Sequence, residues 1–210
     1  ALPISDSVVS FVTVLSDKNG INAHKQLANR PLETFSFIKV VVTATEFDNF
    51  FYLRDHPDAQ PEFRELASVM KQASDQSTPV LLKAGEWHLP YVDLIEGKYF
   101  VDSQQVSLEV AKKVSASCCA QVSYRVLDDT IEKAEKIFDM LHVGDDSGQP
   151  AHSSPLEHLA TPIDDYSKSF NPDTWQRGIT HVRRDGSLWS GNLRGWVQFR
   201  QLIPNEAVWG

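Results

Sequence analysis

The chain has 210 residues, of which 41% are hydrophobic, 10% aromatic and 23% charged, a balance found in folded proteins rather than disordered or collagenous ones and sufficient for one domain with a sizeable core. Twenty basic residues against 28 acidic ones leave a formal charge of −8; this field repels a phosphate backbone, so no nucleic acid is expected as a partner, and any anionic ligand must be held by a few local arginines. The most apolar run, Phe35 to Ala44, is interrupted by Lys39 and falls short of the roughly 18 consecutive apolar residues of a membrane span, so no membrane is expected either.

In chain order, Ala1-Leu2-Pro3-Ile4-Ser5-Asp6 has neither the basic region nor the apolar stretch of a signal peptide. The absence of an initial methionine fits either its removal before Ala1 or a fragment without its upstream part. Residues 21–29 form a short polar stretch with helical propensity that Pro31 breaks. From Phe35 to Arg54, Phe37, Val40, Val41, Ala44, Phe47, Phe50, Phe51 and Arg54 recur at three- and four-residue steps, which predicts a helix of about five turns. The β-branched run Val40-Val41-Val42-Thr43 argues for a strand instead, and the helix is preferred because the pattern continues. Asp55-His56-Pro57-Asp58 reads as a turn, and Ala59 to Ala73 as a second amphipathic helix with Phe63, Leu66, Ala67 and Met70 on one face.

Residues 74–103 read as irregular, with a short strand at Val80-Leu81-Leu82 and an aromatic segment, Trp87-His88-Leu89-Pro90-Tyr91. A third helix is expected from about Ser107 to Val122. A fourth is expected from Asp128 to His142, capped by Asp128 or Asp129, with Ile131, Ala134, Ile137, Phe138 and Leu141 as its apolar stripe. Residues 144–150 form a loop. The stretch 162–192, rich in Pro, Asp, Ser, Gly and Asn, is expected to lie over the surface, and Leu193 to Ile203 alternates enough to be a strand. The adjacent Cys118 and Cys119 match neither an internal disulfide nor a zinc pattern, and as reduced thiols they point to a cytoplasmic protein.

The densest polar group is His152-Ser153-Ser154-Pro155-Leu156-Glu157-His158. Its histidines, hydroxyls and carboxylate suit metal binding, acid–base chemistry or a polar cofactor. The same residues also read as a capped helix start, with Ser153 or Ser154 as N-cap, Pro155 in the first position and Glu157 in the first turn, and such a start is also a site for a phosphate. Arg54 closes the apolar helix beside Asn49 and Leu53; on an inner face it needs an acidic or ligand partner. Arg30, between Asn29 and Pro31, is a candidate phosphate fork. Ala120-Gln121-Val122-Ser123-Tyr124 is a helix end whose serine caps or touches a ligand.

Three blocks stand out together. The first runs Lys25-Gln26-Leu27-Ala28-Asn29-Arg30-Pro31-Leu32-Glu33, then Thr43-Ala44-Thr45-Glu46-Phe47-Asp48-Asn49-Phe50-Phe51-Tyr52-Leu53-Arg54, then His56-Pro57-Asp58-Ala59-Gln60-Pro61-Glu62. The others are Cys119-Ala120-Gln121-Val122-Ser123-Tyr124 and the segment His152 to His158. Over about residues 23–160 they resemble the flavin-dependent thymidylate synthases, in particular the longer phage-type members, whose tail the stretch Gly191 to Arg200 also resembles. The resemblance implies reductive methylation of dUMP to dTMP, with FAD as cofactor, NADPH and methylenetetrahydrofolate as co-substrates, and no enzyme nucleophile on the pyrimidine. It assigns Arg54 to the uracil ring as the catalytic, charge-stabilising residue, Arg30 to the dUMP phosphate, and Asn49, Leu53, Ser123, His152, Ser154 and Glu157 to FAD. It also implies a homotetramer, or a complementing N-terminal chain, in the cytoplasm of a bacterial or phage-infected cell.

The chain departs from the family pattern. Gln121 stands at a usual arginine and Thr34 at a usual proline, and the R-H-R signature with its following S-x-N and serine-arginine pair is absent; Arg200 with Asn205-Glu206 is the nearest piece. Because phage-type signatures end in S-S-R-A-[IL]-P and this chain begins Ala1-Leu2-Pro3, a C-terminal portion cut after the signature is expected. The expected fold is α+β, a single domain of helices on a small mixed or antiparallel sheet. It would comprise a divergent segment 1–22, a core 23–160, and a surface insertion with a C-terminal strand over 161–210. The alternatives are a non-catalytic flavin- or nucleotide-binding or scaffolding homologue, and a metal-dependent hydrolase built on His152, Glu157 and His158.

Overall fold

The computed structural model describes residues 6–33, 35, 37–122, 127–143, 153–164, 171–204 and 206. The chain divides into two compact units, residues 1–40 and 41–210. In the first, α1 (Asp6–Ser16) packs against the short helices α2 (Lys25–Ala28) and α3 (Arg30–Glu33). Val12 is the buried residue of α1, with the partly buried Val8 and Leu15 one turn to either side, the spacing of a one-sided apolar stripe. The polar helix expected over 21–29 is thus the single turn α2. Pro31 lies inside the first turn of α3, where its missing N–H costs no hydrogen bond.

The five-turn helix expected from Phe35 to Arg54 is instead a two-turn helix of the second unit, α4 (Asp48–Arg54), preceded in the chain by an irregular stretch over 37–47. Ile38 and the run Val40-Val41-Val42-Thr43 are β-branched and lose rotamer freedom in a helix, and long-range bonds take the place of helical ones. Asn192 Nδ2 donates to the Thr43 carbonyl at 3.0 Å, the Arg194 N–H donates to Thr45 Oγ1 at 2.8 Å, and Arg194 Nε meets Glu46 Oε1 at 2.8 Å. The helix expected over Ala59 to Ala73 is α5 (Pro61–Gln76), which starts on Pro61, a favoured first residue, and packs on α4. Of its predicted apolar face only Ala67 is fully buried; Phe63 and Leu66 are about half exposed.

The expected strand at 80–82 does not form; the strands lie just beyond it. β1 (Asp93–Ile95), β2 (Lys98–Val101) and β3 (Gln104–Val106) make an antiparallel meander. Both connections are two-residue turns with two positive φ values, Glu96-Gly97 (50°, 74°) and Asp102-Ser103 (46°, 65°), the turn type whose twist matches that of paired strands. Helix α6 (Leu108–Ala120) is capped by Ser107, whose hydroxyl accepts the Val110 N–H at 3.3 Å. In α7 (Ile131–Val143), Asp128 orders the entry by accepting from the N–H and hydroxyl of Thr130, and Thr130 Oγ1 accepts from the Lys133 N–H at 3.4 Å. Ala134, Ile137 and Leu141 of the predicted α7 stripe are buried, and α7 packs along α6.

The remaining strands are β4 (Ala160–Pro162), β5 (His181–Val182), β6 (Leu188–Ser190), β7 (Leu193–Arg194) and β8 (Trp196–Gln198). β4 pairs with β8, and β5-β6-β7 form a second meander, so the described residues of the unit form three small antiparallel sheets. The stretch expected to lie on the surface therefore supplies core. Leu188, Trp189 and Ser190 are buried, and Leu188 packs with Ile163 and Val197. The single strand expected over 193–203 is broken at Gly195 (φ 77°) and ends in a 3-10 turn at Phe199–Leu202. The chain is α+β, with short antiparallel strands throughout.

Candidate functional site

A cavity of about 870 Å³ opens in the second unit, within the range of small-molecule sites. One wall is the irregular strap Thr43-Ala44-Thr45 that leads into α4; another is the loop residues Pro79, Val80 and Leu82; Leu94 and Ile95 of β1 form a third. Leu193 and Trp196 close it from the C-terminal sheets, and Trp87-His88-Leu89 runs along its floor beside Ala160.

That floor is rigid for local reasons. His88 and Ala160 exchange backbone hydrogen bonds at 2.7 and 3.2 Å, and Thr161 Oγ1 donates to the Glu86 carbonyl at 2.8 Å. The Trp87 N–H donates to Tyr99 Oη at 2.8 Å, Lys112 Nζ lies 4.4 Å from the centre of the indole, and Phe199 meets it edge-on at 5.5 Å. Backbone pairing, a cation–π contact and an aromatic edge thus fix one side chain from three elements.

The electrostatics are those of a largely apolar pocket with one carboxylate, Asp93, on its wall. Burial pushes the His88 imidazole below its ordinary value, with His158 nearby acting in the same direction. Burial also lowers His158, against the opposing pull of Glu157. Both rings are neutral at pH 7. Among the described lining residues Asp93 alone carries a charge. The cavity therefore suits an uncharged flat ring with hydrogen-bonding edges, whereas a phosphate would meet no cation on its walls.

The resembling blocks meet here in part. His158 Nδ1 lies 3.1 Å from Thr43 Oγ1, so the end of the block 152–158 touches the strap that begins the arginine-helix block. The helix start expected at Ser153 is a five-residue 3-10 turn, Ser154–His158, with Ser153 before it and no side-chain cap. So short a turn has no macrodipole of consequence, and the phosphate site expected there loses its basis. Glu157 is half-buried and paired with Arg200, and Ser154 is half-buried.

Asn49, Leu53 and Arg54 all lie exposed on α4, and their side chains form no hydrogen bond or ion pair with a described residue. The inner-face arginine expected at position 54 is therefore a surface arginine, because the helix that was to bury it is only two turns long. Arg30, exposed, belongs to the first unit. Ser123 and His152 lie outside the described residues. Among the described residues no group of three His, Cys, Asp or Glu side chains could hold a metal ion. Cys118 and Cys119 are buried and both pushed up to about 12, chiefly by that burial, so neither is a nucleophile.

Trp87, His88, Leu193 and Trp196 were assigned no role from sequence. The one signal available was a Trp-His pair inside an otherwise polar, irregular stretch. The chain matches no family model, no curated protein and no solved structure.

Proposed function

We propose that the chain is the C-terminal portion of a flavin-dependent thymidylate synthase, acting in the methylation of dUMP to dTMP with FAD, NADPH and methylenetetrahydrofolate in the cytoplasm of a bacterial or phage-infected cell. The observation that carries this reading is the 3.1 Å contact between Thr43 and His158 at the edge of an apolar cavity, since it joins two of the three resembling blocks at a pocket able to take a flavin-sized ring. The fit to FAD is a fit to its ring: Trp196, Leu94 and Leu89 offer flat apolar contact, and the neutral His88 offers a hydrogen bond. When bound, FAD would supply the hydride chemistry.

The chain's own residues bind and polarise. Arg54, always cationic and without a partner among the described residues, is available to stabilise negative charge on a pyrimidine ring. The cavity, whose one charged lining residue is Asp93, offers no hold for the phosphates of FAD and dUMP, so cations outside it must supply one, such as arginines of another chain. A homotetramer, or a complementing N-terminal chain, would meet that need, and the exposed apolar side chains of α4 and α5, Tyr52, Leu53, Phe63, Leu66 and Val69, are suited to such an interface.

The test is a titration of the purified chain with FAD, followed by flavin absorbance and fluorescence, with and without dUMP. Flavin binding that responds to dUMP is the expected result. Binding without a dUMP response would mean half a site, with the dUMP-binding part supplied from outside this chain. No flavin binding by the folded chain would remove the reading.

A further inference from the structure

The β5-β6-β7 meander and the strand after it gather arginine rather than lysine. Residues 176–200 hold five of the chain's nine arginines, none of its eleven lysines and a single acid, Asp185. Three of the five are used within the fold. Arg177 Nη2 donates to the Leu202 carbonyl at 2.8 Å, Arg194 pairs with Glu46, and Arg200 lies between Glu157 and Glu206. Arg183 and Arg184, adjacent and exposed where β5 turns towards β6, form no ion pair with a described residue.

Arg183 is nevertheless held in place. Leu188 and Leu193 are buried on one face of the meander, so the alternation of strand side chains turns Trp189 and its register partners His181 and Arg194 to the other. On that outer face Trp189 is only 3% exposed, because polar side chains cover it. The His181 ring stacks on it at 5.8 Å, and Arg183 Cζ lies 3.7 Å from the centre of the indole. At that distance the guanidinium lies along the ring, since an N–H pointed into it would hold Cζ farther off. The indole is braced in turn: Trp189 Nε1 donates to Ser187 Oγ at 2.8 Å, and Asp185 Oδ1 accepts from the Ser187 hydroxyl at 2.6 Å and its N–H at 3.0 Å.

A guanidinium stacked by its face keeps its edge N–H donors in one plane towards solvent, a fork that matches two oxygens of a phosphate. The net charge of −8 disfavours a long polyanion, whereas one phosphate needs only local cations. We propose that Arg183, laid on Trp189 and assisted by Arg184, binds a phosphate dianion, free or as the end of a small phosphomonoester, on the outer face of the meander. Leu193, which lines the cavity, is on the opposite face of β7, so this site neither needs nor blocks a ring bound there. The stacking matters because a free arginine side chain must surrender its rotamer freedom on binding, and that cost is subtracted from affinity.

The experiment is an NMR titration of the full chain with inorganic phosphate at constant ionic strength, following the Arg183 Nε–H and Trp189 Nε1–H resonances. Both shift with one Kd, of about millimolar magnitude. Followed at Trp189, Arg183→Gln raises that Kd about tenfold, and Arg183→Lys leaves it about fivefold raised, since an ammonium cannot fork. Ser187→Ala keeps every cation but frees the indole, and raises the Kd about threefold. Arg64→Gln, at an exposed position of α5, leaves it unchanged. In a second titration, tighter binding of a nucleoside monophosphate than of inorganic phosphate assigns the site to a monoester, and equal binding assigns it to the free dianion. The absence of a saturable shift, full affinity in Arg183→Lys or Ser187→Ala, or an equal loss in Arg64→Gln would reduce the cluster to ordinary surface charge and overturn the inference. A single-stranded oligonucleotide that binds more than about tenfold tighter than the mononucleotide would overturn it in favour of a nucleic-acid surface.

Discussion

Helices α5 and α6 were both legible as helices, yet they do opposite work. In α6 every residue from Val114 to Cys119 is buried, on all sides of the helix. In α5, a longer helix with a clear apolar stripe, only Ala67 is. The difference lies in side-chain size and surroundings. The inner residues of α6 are small, Ala111, Ser115, Ala116, Ser117 and Cys118, so α7, β2 and the turn at 154–158 can approach closely. The stripe of α5 carries Phe63, Leu66 and Val69, each 50–52% exposed, and its neighbour α4 leaves Tyr52 at 75%. Burial on all sides is what stabilises a unit by itself; an apolar stripe left in water is what a binding or assembling surface looks like. The fold of the second unit is thus built on α6, and α4–α5 carries residues that stabilise little by themselves.

The sharpest way to break this contrast is a charge on each helix. Ala116→Asp places a carboxylate at a position with no solvent exposure and is expected to cost at least about 3–5 kcal/mol, enough to unfold a marginal domain. Leu66→Asp on α5 is expected to stay within about 0.5–1 kcal/mol. Thermal melts of the two variants decide it; an equal loss at Leu66 would mean that the α5 face is covered in solution. A smaller effect is expected at the end of α6, where Gln121, 2% exposed, donates from Nε2 to Ser117 Oγ and to the Asp128 carbonyl, both at 2.9 Å. Gln121→Ala leaves the buried Ser117 hydroxyl and the half-buried Asp128 carbonyl without their donor and should cost about 1–3 kcal/mol in chemical denaturation. A neutral result would show that α6 and the entry to α7 are not coupled through this side chain.

What was legible followed local rules. The start of α6 at Ser107 and the apolar period of α7 were readable, and Ala134, Ile137 and Leu141 of the expected stripe are buried while Ile131 is 42% exposed; the cap of α7 was not, since Thr130 rather than Asp128 or Asp129 accepts the Lys133 N–H. The stretch 37–47 misled because β-branched residues happened to recur at helical steps, and its actual partners, Asn192 and Arg194, lie 149 residues away along the chain. Strands of two to four residues carry too short an alternation to separate from loop, although Glu96-Gly97 was a usable turn signal. The cavity could not be read at all, since its walls come from segments near residues 43, 80, 88, 94 and 195, and only the fold places Trp196 beside Thr43. Glu157 was read as a ligand contact, but its partner Arg200 is a long-range pairing that no local pattern encodes.

The cavity floor offers a test through pH. His88 and His158 have lowered values in the folded chain, so below the unfolded-state value of about 6.5 the unfolded chain binds more protons than the folded one, and stability falls as pH drops through that range. The melting temperature should therefore decline from pH 7.5 to pH 5.5, and the decline should be shallower in His88→Gln. An unchanged slope in that variant would place the acid sensitivity elsewhere.

The smallest expected effect on stability carries the most about function. Arg54 ends α4 exposed and without a described partner, so Arg54→Ala should shift stability by no more than about 0.5 kcal/mol. On the proposed function the same substitution abolishes dTMP formation in any reconstituted enzyme, because it removes the one cation of α4 able to offset charge developing on the pyrimidine. Melting curves and turnover measured on the same preparation separate the two roles. A stable, inactive variant would make α4 a functional helix carried by a fold that does not need it, and a stable variant with full turnover would take Arg54 out of the site.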